Sequence, residues 1–307
     1  MNGASPGYRS GFVGIIGRPN VGKSTILNAF LGEKVAITTP RPQTTRHRIL
    51  GVLTRDDAQV MFLDSPGVHE PRHALGRYML EVAKAVIDEA DVLVTVIEAG
   101  SSLHGEDERV FAWVRQALRA PGPGRTQRGS LLAINKVDLV KKPILLPLLE
   151  ACARTKLFAE YIPISAKTGD QMDVLLSQII GCLPEGPRLY APEDRTDQTT
   201  RQLIGELIRE QVMLATRQEV PHAVAVALDQ VEEREGVTAI RATLLVERQG
   251  QKAILIGRGG LMLKEIGQAA RHQLERLLGR KVYLELWVKV AEDRRSDESL
   301  LRELGSG

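Results

Sequence analysis

The chain has 307 residues, 43% apolar and 26% charged, with a formal net charge of only +3, a balance that excludes a disordered or membrane-embedded chain. No apolar run approaches the roughly 18 residues of a membrane span. Cys152 and Cys182, the only cysteines, lack metal-ligand spacing and companions, which excludes a disulfide framework or zinc site and, with no signal-like apolar stretch in MNGASPGYRS, predicts a cytoplasmic protein.

At this length two domains are expected, since one domain takes roughly 100–200 residues. The segment 11–16, GFVGII, reads as a buried strand feeding a glycine turn, and 23–31 as the helix that follows. Strands are predicted over 48–54, 59–63, 91–97, 131–134 and 161–164. Helical patterns over 76–88, 106–118, 144–154 and 172–180 fall between most of them. Continuous apolar strands alternating with helices predict an α/β domain with a mostly parallel sheet covered on both faces. The stretch 121–129, PGPGRTQRG, reads as a solvated loop. LPEGPRLYAPEDRTD, residues 183–197, carries three prolines and several charges and reads as an interdomain linker. The first domain is therefore assigned to residues 1–182.

Beyond the linker the pattern changes. A helix over 199–216 is followed by strands over 222–228 and 238–246, separated by the polar turn EEREG. A short helix, the glycine loop GRGG, a helix over 261–278 and a strand over 282–290 complete a small α+β domain, residues 198–291, with a tail of 292–307. From Gln251 to Val290 eight Lys or Arg stand against three Glu, a local net charge of +5. These basic residues surround the glycine loop, which points to an anionic partner.

Four motifs of the first domain lie at strand ends. GRPNVGKS, residues 17–24, fits the phosphate-binding pattern between a strand and a helix, where backbone N–H groups and the helix N-terminus receive phosphate. Gly17, Asn20, Val21, Gly22, Lys23, Ser24 and Thr25 are the candidate phosphate contacts. Lys23 would reach the β- and γ-phosphates and Ser24 would ligate Mg²⁺. Asp64 in DSPG supplies a carboxylate to the Mg²⁺ site, and Gly67 offers its N–H to the γ-phosphate. NKVD places Asn135, Lys136 and Asp138 at the sheet's carboxyl edge, where such folds bind ligands. Asp138 can accept from guanine N1–H and its exocyclic amine; adenine would leave the carboxylate unpaired. Ser165, Ala166 and Lys167 follow the next strand, with backbone available to the guanine oxygen. Order and placement together predict GTP or GDP rather than an adenine nucleotide.

With these motifs in place, the sequence resembles a P-loop GTPase of the translation-factor-related class. TPRPQTTRHRILG, residues 39–51, resembles the first switch of the Era family. There a threonine of the QTTR segment closes over Mg²⁺ and the γ-phosphate: Thr45 is the expected residue and Thr44 the alternate. Asn20, Lys23, Thr45 and Gly67 form the expected catalytic set. The residue after the D-x-x-G motif is Val68, which can neither orient nor deprotonate water as a glutamine would, so slow intrinsic hydrolysis is expected. The resemblance also implies that Asn20 helps hold K⁺ against the phosphates, beside the plainer reading of a loop cap. Arg46 and His47 read as solvated switch residues.

The second domain resembles a type II KH domain, whose GXXG loop clamps single-stranded nucleic acid. The loop is Gly257, Arg258, Gly259 and Gly260. Ile254, Ile256, Leu261 and Ile266 are candidates for one wall of a base-binding groove or, equally, for plain core, and core is the preferred reading for Ile254 and Ile266. Ile256, the four loop residues, Lys264, Arg271 and Lys281 are the expected RNA contacts. A GTPase domain joined to a KH domain is the Era arrangement, and the resemblance spans roughly residues 10–290. It implies a monomeric, mostly cytoplasmic protein, with some peripheral membrane association. Its implied partners are the 3′ end of small-subunit ribosomal RNA and the small subunit it helps to mature. Two departures stand out: DSPG has serine where threonine is commoner, and the tail opens with acids where a basic residue and a tryptophan are usual.

Overall fold

Strand β3 (Ala58–Asp64) is buried at every position, and its side chains alternate between two cores. Met61 and Leu63 enter one cluster and Val60 and Phe62 the other. β1 (Arg9–Ile16) does the same, with Ile16 in the first cluster and Val13 and Ile15 in the second. Burial on both faces is why these strands read as continuous apolar runs rather than as alternating ones. The computed structural model describes residues 7–71, 74–100, 102–119, 128–216 and 224–291. The chain divides into two units, residues 1–38 with 45–197, and residues 39–44 with 198–307.

The first unit adds α1 (Lys23–Leu31), β2 (Ile49–Thr54), α2 (Ala74–Glu89), β4 (Val92–Glu98), α3 (Gly105–Arg119), β5 (Gly129–Asn135), α4 (Leu145–Arg154), β6 (Glu160–Pro163) and α5 (Met172–Cys182). Its six-stranded sheet runs β2-β3-β1-β4-β5-β6. Only β2 is antiparallel to its neighbour. Gly129 already belongs to β5; residues 121–127 of the expected solvated loop lie outside the described residues. The stretch 183–197 is pinned along this unit by backbone hydrogen bonds, Ser10 N–H to the Pro184 carbonyl at 3.1 Å and Val52 N–H to the Arg195 carbonyl at 2.8 Å.

The second unit contains α6 (Thr200–Ala215), β7 (Ala225–Arg234), β8 (Val237–Val246), α7 (Gln249–Ile256), α8 (Leu261–Leu278) and β9 (Lys281–Val290). Its sheet runs β7-β8-β9, with β7 antiparallel and β9 parallel to β8. The Thr199 side chain caps α6 through a capping box with Gln202, which satisfies N–H groups that the helix start leaves open. Most of the expected EEREG turn is strand instead: Glu232, Glu233 and Arg234 pair with Ala239, Thr238 and Val237. Cross-strand pairing there satisfies backbone groups that the polar side chains alone do not reveal. His222 and the tail 292–307 lie outside the described residues.

Candidate nucleotide site and nucleic-acid groove

The phosphate loop is built by β1 ending at Ile16 and α1 starting at Lys23. Gly22 turns the chain with φ 100°, and a Cβ there would collide with the Asn135 side-chain amide. A side chain is excluded on both counts. Lys23 is buried and donates to the Gly17 carbonyl at 3.1 Å and the Arg18 carbonyl at 2.9 Å. Burial pulls its ammonium down to about 8, with Asp64 opposing the shift and Arg18 adding to it. The lysine is thus held along the loop with its charge poorly solvated, ready for an anion.

Asp64 closes β3 in full burial. Burial pushes its carboxyl up to about 6, against the opposing pull of Lys23 and hydrogen bonds from Ser24, Thr45 and Ser65. Its Oδ2 accepts from the Ser24 hydroxyl at 2.6 Å and from Thr45 at 3.4 Å, while Oδ1 is buried with no hydrogen-bond partner. The Ser24 and Thr45 hydroxyls are 3.0 Å apart. Three oxygen-bearing side chains, one with an orphaned buried oxygen, fit a hard divalent cation such as Mg²⁺. Thr44 turns elsewhere: its hydroxyl donates to the Arg41 carbonyl and meets that of Thr39, both at 2.7 Å.

The loop after Asp64 lies against the phosphate loop. Val68 N–H donates to the Gly17 carbonyl at 3.1 Å, and a Cβ on Gly67 would approach Pro19 Cα to 2.7 Å. Val68 itself is core. Asn20 is exposed and left-handed, φ 65°. Arg46 and His47 are not the solvated pair expected: Arg46 is buried, and His47 Nδ1 meets the Tyr78 hydroxyl at 3.3 Å. The Tyr78 ring of α2 packs edge-on against His47 and leaves it half-buried.

At the base end, Asn135 joins two motifs. Its amide donates to the Val21 carbonyl at 2.8 Å and its oxygen accepts from Ala166 N–H at 3.0 Å. Ser165 donates to Asp138 at 2.7 Å, orienting an otherwise exposed carboxylate. Lys167 is exposed, Thr25 half-buried and Val21 buried. Glu98, at the end of β4, went unrecognised in the sequence. One of its oxygens takes Lys136 at 3.1 Å and the other Arg18 at 3.0 Å, while Arg18 also reaches Asp107 of α3 at 3.3 Å. The two cations hold the Glu98 carboxyl below its usual range, although partial burial works against them. Its place at a strand's carboxyl end was the one available signal.

In the second unit, α7 and α8 meet at GRGG. Gly257, Gly259 and Gly260 all have positive φ (69°, 59° and 81°), and Arg258 and Gly259 are exposed at the loop's apex. Gly260 opens α8, so the helix N-terminus and its dipole face the same side as the loop. A groove of about 520 Å³ runs between α8 and β9, with Gly260, Lys264, Gly267 and Arg271 on one side and residues 282–286 on the other. Lys264 and Arg271, expected as RNA contacts, border it; Lys281 is exposed at the start of β9. Ile256, half-buried at the end of α7, and Leu261, 59% exposed at the start of α8, flank the GRGG loop. Ile254 is 44% exposed and Ile266 1% exposed, so the core reading fails for Ile254. On α7 the inward stripe is Gln251 and Leu255, one turn apart, and Ile254 points off it.

Residues 12–136 match the family model described as a 50S ribosome-binding GTPase, and residues 219–295 match the KH domain. The chain is 45% identical over 305 residues to GTPase Era of Syntrophus aciditrophicus (strain SB), covering 99% of this chain and 97% of that protein. A crystal structure of Era in complex with MgGDPNP and nucleotides 1506–1542 of 16S ribosomal RNA superimposes with a TM-score of 0.89 at 39% identity. It covers 97% of this chain and 99% of that one. A point variant of Aquifex aeolicus Era bound to GDP·AlF4⁻ gives 0.88 at the same identity and coverage.

Proposed function

This chain belongs to the Era family of GTPases, and from that premise we propose that it is a GTP-driven switch. In this reading it binds the 3′ end of small-subunit ribosomal RNA and assists assembly of the small subunit. The carrying observation is the pairing, in one chain, of a guanine-nucleotide site with a GXXG loop that opens onto a basic-edged groove. Era in complex with 16S ribosomal RNA aligns over nearly the whole length, which supports RNA as the groove's ligand.

Lys23, the loop N–H groups and the N-terminus of α1 bind the β- and γ-phosphates, and Asp138, held by Ser165, reads guanine. Ser24 and Thr45, with Asp64 behind them, would hold Mg²⁺, which when bound neutralises charge on those phosphates. Thr45 rather than Thr44 takes this role because its hydroxyl meets both other residues. Gly67 offers its N–H to the γ-phosphate. Val68 leaves the attacking water without a side-chain base, so hydrolysis is slow unless RNA or a cation completes the site. Asn20 supplying a ligand to K⁺ rests on the family resemblance. The same reading gives a monomer in the cytoplasm, with peripheral membrane association carried by resemblance alone; no helix among the described residues is long and apolar enough to cross a membrane.

The test is RNA selectivity. Full-length protein loaded with a non-hydrolysable GTP analogue should bind an oligonucleotide of the 3′-terminal small-subunit sequence well above a scrambled one of equal length. Equal affinity for the two would remove the ribosomal reading.

A further inference from the structure

β9 is an edge strand with two different faces. Its even-numbered residues Val282 and Val288 are buried with the helices, whereas Tyr283 and Trp287 are 62% and 54% exposed. Strand periodicity puts Lys281, Tyr283, Glu285, Trp287 and Lys289 together on the open face. Large aromatic side chains left this exposed on a folded domain call for an explanation. Tyr283 and Trp287 stand four residues apart, about 13 Å along the strand, so each has room for its own planar partner.

The charges on this strand select the partner. Lys281 and Lys289 bracket the two rings and are both exposed. The acid between them, Glu285, is paired across the sheet with Arg241 at 2.9 Å, which is also its register partner on β8. The acids farther across the sheet are likewise engaged, Asp229 with the Thr243 hydroxyl at 2.7 Å and Glu232 with Arg234 at 2.9 Å. What remains free along β9 is aromatic surface between two cations, the combination that binds single strands by base stacking and phosphate attraction. The same strand forms one rim of the groove, so a chain leaving the groove over this edge arrives on these rings.

We propose that the open face of β9 is a second surface for single-stranded RNA, on which Tyr283 and Trp287 stack bases while Lys281 and Lys289 hold the flanking phosphates. This rests on the reading of the α8–β9 groove as an RNA site.

The sequence has two tryptophans, so Trp113→Phe in the full chain leaves Trp287 as the sole tryptophan reporter. That protein is titrated with a short RNA sized to the groove and with the same RNA extended at both ends. The extended RNA should quench Trp287 fluorescence and bind at least about tenfold more tightly than the short one. Trp287→Ala should abolish this gain and leave short-RNA affinity unchanged, because Trp287 lies outside the groove lining; Trp287→Phe should keep it. An extended RNA that binds no more tightly and leaves Trp287 unquenched, while the short RNA still binds, overturns the second surface and spares the groove. Failure of both RNAs to bind wild type removes the groove reading and the proposal together. Quenching by protein partners but not by RNA would also overturn it.

Discussion

Glu98 holds Lys136 at 3.1 Å, tying the end of β4 to the base-reading motif. Its second oxygen holds Arg18 of the phosphate loop at 3.0 Å, so one carboxylate spans both ends of the nucleotide site. Glu98→Gln keeps the shape and removes the charge. The pairs are partly exposed and therefore individually weak. GDP release should accelerate by only about two- to tenfold, with hydrolysis of bound GTP nearly unchanged. Stopped-flow release of a fluorescent GDP measures it; a release rate equal to wild type would show that the bridge is not a clamp.

Asp138→Asn should shift preference from guanosine toward xanthosine nucleotides. Xanthine presents a carbonyl where guanine presents its amine, and an amide can donate to it. Without the carboxylate, GTP should bind more weakly by about 1–3 kcal/mol. Competition between GTP and XTP checks it, and an unchanged ratio would take Asp138 out of base reading.

Asp64 makes the stability of nucleotide-free protein depend on pH. Its folded carboxyl sits at about 6 against an ordinary 3.8, so the native state binds the proton more tightly than the unfolded chain does. That stabilisation is complete below the ordinary value and is lost as pH rises through about 6. Relative to Asp64→Asn, wild type should lose on the order of 2–3 kcal/mol between pH 4 and pH 7. Urea midpoints of both proteins at several pH values provide the comparison. Saturating Mg²⁺ and GDP should flatten the difference, because a cation favours the charged carboxylate.

Hydrolysis should depend on K⁺ and on Asn20. Replacing K⁺ with Na⁺, or making Asn20→Ala, should lower turnover and leave GDP affinity nearly intact. Phosphate release assays in the two salts decide it, and identical rates would assign the missing group to RNA or a partner.

Changing Arg258 and Gly259 together to Asp should separate the two sites. The loop apex is exposed, and a Cβ on Gly259 meets nothing within 4 Å. Asp tolerates the left-handed backbone there better than most residues, so the fold should survive. Two carboxylates would then face the phosphates. RNA affinity should fall steeply, and its salt slope should shrink by about one for each phosphate that is no longer neutralised. Basal GTP hydrolysis should stay at the wild-type rate. Filter binding across a salt series tests this; normal binding by the folded double variant would end the KH-groove assignment.

The glycine loops, NKVD, DSPG and the alternation of apolar strands with helices were legible in the sequence because each is a contiguous stretch whose chemistry is local. A phosphate loop needs only its own glycines, a lysine and the helix that follows. Strand order, the antiparallel placement of β2 and the inward stripes of α7 and α8 were decided by packing, which is why Ile254 on α7 is exposed while Ile266 on α8 is core. The same holds for choices between near neighbours. Thr45 and Thr44 are adjacent and identical, yet only Thr45 meets Ser24 and Asp64. Glu98 lies about forty residues from Lys136 and eighty from Arg18, and nothing in its own stretch announces either partner. Tyr283 and Trp287 looked like ordinary apolar strand residues until the sheet left one face of β9 uncovered. Local backbone chemistry is written in consecutive residues; which side chains meet, and which remain in water, depends on surfaces that exist only once distant segments have packed.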